Sequence, residues 1–142
     1  MRLLQTLNKW LRLSLTRHLH FAEAMLTLLQ VRWRLRVLKQ RPLPDTDRQD
    51  EGAETAKLDH VLLADLSWAT KAVAWRMRPK ALCLEQSLAL KQMLARRGVA
   101  AALKIGVTRT ASDNLGAHAW LEYNNQVIFN QVDNPDKFTV LK

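Results

Sequence analysis

Cys83 and His118 are the residues whose types and order suit covalent chemistry. Cys83 is the only cysteine in the chain, and it opens a stretch, CLEQSLALKQMLARRG, whose apolar residues recur at helical spacing. Leu84, Leu88, Leu90, Met93 and Leu94 carry that period, and Gly98 after Arg96 and Arg97 is a helix stop. The first-turn N–H groups of a helix have no intrahelical partner, and in general they favour a thiolate over a thiol. A thiolate attacks a carbonyl carbon; an imidazole keeps the sulfur ionised and then protonates the leaving amine. A third group must accept a hydrogen bond from the other ring nitrogen, which sets the tautomer and the ring orientation. Asn130 and Asp133 follow His118 and are both candidates for that place.

The elements that position these residues follow from the period of the apolar pattern. After Gly98, residues 99–108 (VAAALKIGVT) predict a strand, 109–116 (RTASDNLG) a turn, and 117–123 (AHAWLEY) a second strand. In that second strand His118, Trp120 and Glu122 share one face, and Ala119, Leu121 and Tyr123 the other. Asn124-Asn125 signals a tight hairpin, which folds the return strand, 126–130, beside the histidine strand. Adjacent strands are about 4.8 Å apart, so a residue on the return strand comes within reach of the imidazole. Residues 132–142 read as a short tail. Ahead of the cysteine helix, residues 57–76 predict another helix, with Trp68 and Trp75 on one face as core or as a groove wall. Helices first and an antiparallel meander after them make an α+β arrangement.

The front of the chain differs in character. Residues 1–41 contain neither Gly nor Pro, and they carry nine Lys/Arg against Glu23 alone, so they hold +8 of the net charge of +9. Leu3, Leu4, Leu7, Leu11, Leu15, Leu19, Ala22, Leu26 and Leu29 form a helical stripe, expected to pack on the core in two helices or one bent one. Arg32, Arg34, Arg36, Lys39 and Arg41 would then face solvent or meet an acidic partner or a membrane surface. Residues 42–56, PLPDTDRQDEGAETA, read as an acidic, Pro-containing linker. The expected division is a basic helical region, 1–41, this linker, 42–56, and a body, 57–142, that is close to neutral.

Composition narrows the classes. A chain of 142 residues that is 48% hydrophobic has enough apolar material for one core. One cysteine excludes an internal disulfide framework and a cysteine-rich zinc site, and it suits a reducing cytoplasm. The run from Leu19 to Val31 is too short to span a bilayer and has no evident cleavage site for a signal peptide. No glycine-rich loop or aromatic-studded strand accompanies the basic charge, so nucleic acid is not the expected partner. No cofactor and no metal is expected.

The segments CLEQSLAL with the following RRG, then IGV, then AHAWLEY resemble the transglutaminase-like cysteine peptidases of lasso-peptide biosynthesis, the B proteins that remove the leader from a precursor. The likeness covers about 75–133, and FAEAMLTLLQVRWRLRVL is similar to the basic N-terminal helices of that family. The resemblance implies a papain/transglutaminase-like fold with Cys83 as nucleophile and His118 as base. It implies a stand-alone peptidase half that works with a small leader-recognition domain on a precursor peptide, ahead of an ATP-dependent lasso cyclase. One departure stands out: where the family usually has Asp as the third residue, this sequence has Asn130, and Asp133 comes three residues later. An amide can orient an imidazole but cannot offset an imidazolium charge, so Asn130 is the preferred third residue and a shifted register bringing in Asp133 is its rival. The oxyanion donor is expected to be the Cys83 backbone N–H, with Trp75 or Gln86 as side-chain candidates.

The expected function is thus a cytoplasmic cysteine peptidase acting at a leader–core junction. The competing readings are a basic helical interaction module with a structural cysteine and a transglutaminase-like acyltransferase.

Overall fold

The computed structural model describes residues 15–40, 56–77, 82–109, 115–131 and 138–140. Within them, three helices precede a four-stranded antiparallel sheet: α1 (Leu15–Arg36), α2 (His60–Arg76), α3 (Cys83–Ala95), β1 (Ala102–Arg109), β2 (Leu115–Tyr123), β3 (Gln126–Phe129) and β4 (Thr139–Val140). The strand order is β3-β2-β1-β4. The α+β expectation holds, and β4 adds a strand to the far edge of β1 from the segment read as a tail.

Local chemistry sets the element ends. Asp59 caps α2, its carboxylate accepting from the N–H of Val61 at 2.9 Å and of Leu62 at 3.5 Å. At the end of α3, Gly98 takes φ +76°, and the N–H of Val99 returns to the Leu94 carbonyl at 3.1 Å. That six-to-one bond around a left-handed residue needs the freedom of glycine. Asn124 and Asn125 have φ of 49° and 60°, the pair of positive values that a two-residue type I′ hairpin requires. The register between β2 and β3 slips between Leu121 and Glu122, so Ile128 is an extra residue and β3 bends there.

One core joins the helices to the sheet. Ala24, Leu28 and Val31 of α1 meet Leu66 and Val73 of α2, Leu90 and Leu94 of α3, and Leu103, Leu121 and Phe129 of the sheet. Two ion-pair clusters fasten α1 along α3. Glu23 takes Arg96 at 3.1 Å and Arg97 at 2.7 Å at the end of α3, while Arg32 and Arg36 take Glu85 at 3.0 and 3.3 Å at its start. The two helices therefore run antiparallel, with α1 tied to both ends of the cysteine helix.

Two sequence expectations are corrected. The leucine stripe of α1 does not pack on the core: Leu15, Leu19, Leu26 and Leu29 are exposed, and the buried face is His20, Ala24, Thr27, Leu28 and Val31. The core-facing side of α1 thus carries Leu28 and Val31 with the smaller Ala24 and Thr27 between and beside them. The upstream part of that stripe, Leu3 to Leu11, lies outside the described residues. Trp68 and Trp75 are not core either, being 37% and 67% exposed. Arg17 instead places its guanidinium over the Trp68 ring, 5.5 Å from the centroid.

Candidate active site

Cys83 occupies the first turn of α3, directly after the N-cap Leu82, and is partly exposed. Two features fix that end of the helix. The Glu85 carboxylate accepts from the Leu82 N–H at 3.3 Å, and it is itself held by Arg32 and Arg36. Glu85 is 3% exposed, so this carboxylate is kept out of water only because two guanidinium groups meet it. Two of the arginines expected to reach for a partner thus turn inward to brace the cysteine helix.

His118 lies in β2, paired across from Gly106 in β1. Its ring stacks on Trp120, with centroids 6.3 Å apart and planes 20° apart, and Phe138 closes the group at 6.1 Å. The Trp120 indole N–H is anchored to Glu122 at 2.8 Å. This aromatic cover needs glycine at 106. A Cβ there would come within 2.8 Å of the Phe138 Cβ and 2.9 Å of the Trp120 ring. Trp120 is 2% exposed, so the indole shields one flank of the imidazole from water.

Asn130 is where the two halves meet. It ends β3 at φ 55°, a left-handed conformation that asparagine tolerates better than most residues. Its backbone carbonyl lies 2.9 Å from Nε2 of His118. Its side-chain amide donates to the hydroxyl of Ser87 at 3.0 Å and to the carbonyl of Cys83 at 3.3 Å. Ser87 in turn donates to the Ala119 carbonyl at 3.1 Å and is fully buried, so its hydroxyl locks α3 to β2.

Through Asn130, His118 of β2 is linked to Cys83 and Ser87 of α3. The geometry also assigns a tautomer. A carbonyl oxygen can only accept, so Nε2 carries the proton it shares with Asn130, and in the neutral ring Nδ1 is left with the lone pair. The group of Asn130 that meets the imidazole is its main-chain oxygen, and the side chain goes to the cysteine helix. Sequence reasoning addressed side chains and had no means of selecting a backbone acceptor. Asp133, the rival third residue, lies outside the described residues. Trp75 is exposed at the end of α2, and Gln86 sits one turn into α3.

A family model described as the transglutaminase-like superfamily matches residues 25–142. The chain belongs to the transglutaminase-like superfamily. The α+β order of helices and antiparallel sheet fits that membership, and the superfamily's enzymes are generally cysteine-based. The match begins within α1, so the superfamily domain includes the helix that braces Glu85. No curated protein and no solved structure matches the chain. Among the described residues there is no group of three metal-ligating side chains, and no helix is long and apolar enough to cross a membrane.

Proposed function

We propose that this transglutaminase-like protein is a cytoplasmic cysteine peptidase that cuts a ribosomally made lasso precursor at its leader–core junction. The observation that carries the reading is Asn130, which holds the His118 ring through its carbonyl and the start of the Cys83 helix through its amide. Nδ1 of His118 takes the thiol proton, and the Cys83 sulfur attacks the carbonyl carbon of the scissile peptide bond. The oxyanion meets the Cys83 backbone N–H, which as a first-turn donor has no intrahelical acceptor. His118 then returns its proton to the leaving amine, and the leader remains as a thioester. Water, deprotonated by the same nitrogen, adds to the thioester carbon, and the thiolate departs with the leader's new carboxylate free.

The precursor would be delivered by a small leader-recognition protein, and the freed core would pass to a lasso cyclase. The motif pair CLEQSLAL and AHAWLEY supports this assignment. Incubation of precursor, recognition protein and this chain is expected to release a core with a free N-terminus, seen by mass spectrometry. Cys83→Ala and His118→Ala are expected to abolish release. Undiminished cleavage by Cys83→Ala would exclude the mechanism. Transfer to an amine instead of water is the second reading, because the superfamily match covers cysteine-based acyl transfer of either kind. A product carrying an added amine in place of a free leader carboxylate would establish it.

A further inference from the structure

We infer that the outer face of α1 is a docking surface for an anionic lipid membrane, on which the helix lies in the plane of the interface. Leu15, Leu19, Leu26, Leu29, Trp33 and Val37 line this face, and each is at least half exposed, with Leu15 at 77% and Leu26 at 70%. At about 100° per residue they fall, with Ala22, in an arc about 80° wide, along a helix about 33 Å long with Val37 just past its end. The inner face of α1 is already committed to the core, so this outer arc is a second apolar surface without a role in folding. A soluble helix normally presents charge there.

Charge selects the occupant. Arg34 lies to one side of the arc and Lys39 just past its end, both exposed to solvent. The first 41 residues hold +8 of the chain's +9, so a second copy of this chain would be repelled and phosphate headgroups attracted. Trp33, an exposed indole within this arc, is the residue type enriched at membrane–water interfaces. No helix among the described residues can span a bilayer, so the contact is peripheral.

The test is co-sedimentation of the full chain with vesicles of phosphatidylcholine, with and without about one-third phosphatidylglycerol, at about 0.1 M ionic strength. Binding to the anionic vesicles is expected, at least about tenfold weaker to the neutral ones and weakened again at about 0.5 M salt. Leu19→Glu with Leu26→Glu is expected to lower anionic-vesicle binding by about tenfold or more while leaving the thermal midpoint unchanged, since both side chains are exposed. Leu115→Glu, an equally exposed leucine on the sheet, is the control and is expected to bind as the parent does. Three results would overturn the inference: no binding to anionic vesicles, binding that the double variant retains, or a parent dimer in sedimentation velocity that the double variant dissolves.

Discussion

Replacing Asn130 by glycine separates the two jobs that this residue performs. The variant loses the amide that donates to Ser87 at 3.0 Å and to the Cys83 carbonyl at 3.3 Å, yet it keeps the carbonyl that lies 2.9 Å from His118. Glycine also accepts the φ of 55° without strain. Two part-buried hydrogen bonds at about 1 kcal/mol each put the stability loss at about 2 kcal/mol. For a chain of this size that is a fall of about 4–8 °C in thermal midpoint. Asn130→Ala should fall further, by about 1 kcal/mol, because a Cβ is strained in the left-handed region. The chemical readout is the rate at which iodoacetamide alkylates Cys83 at about pH 6, where an imidazole partner keeps the thiol reactive. With the main-chain oxygen as the orienting group, Asn130→Gly should alkylate within about threefold of the parent. Were the side chain the orienting group, the loss would be about 10²-fold or more, as for other triad members. A loss of that size in a variant that remains folded would refute the assignment of the carbonyl, and a midpoint equal to the parent's would refute the tether.

Three further outcomes follow from the packing. Glu85→Gln leaves Arg32 facing a neutral amide at a site only 3% exposed, and it should cost about 2–4 kcal/mol in denaturant unfolding, with slower Cys83 alkylation because the helix start is no longer braced. Gly106→Ala places a methyl within 2.8 Å of Phe138 and 2.9 Å of Trp120, and about 1–3 kcal/mol should be lost as those rings move off His118. Glu23 is held below the usual carboxylate range, chiefly by its hydrogen bond from Arg97, against the opposing effect of burial. A depressed carboxylate stabilises the fold above its unfolded-state pKa, and that contribution is lost as pH falls through the lower folded value. The parent should therefore be more stable than Glu23→Gln at about pH 7, and the gap should close as thermal melts are taken into the acid range below about pH 4.

The order of the elements, the helix that Cys83 begins and the strand that carries His118 were legible from local pattern, because period and turn chemistry act within a few residues. The Asn124-Asn125 hairpin and the Gly98 stop are of this kind: each is a short-range backbone demand met by the residue at that position. The motif resemblance likewise singled out Cys83 and His118 as the pair on which the proposed chemistry rests. What the tertiary structure decided concerns faces and partners. Periodicity reports that α1 has an apolar stripe, but α1 has apolar residues on two sides, and only packing shows that the side with Ala24, Thr27, Leu28 and Val31 meets α2 and α3 while Leu15, Leu19, Leu26 and Leu29 stay outside. Charge counting could not tell that Arg32 and Arg36 would be spent on Glu85, distant in sequence. A main-chain oxygen has no letter in the sequence, so its place beside His118 emerges only when β3 bends at its bulge and Asn130 turns left-handed. Such contacts depend on chain segments brought together by the whole fold, and no local rule encodes them.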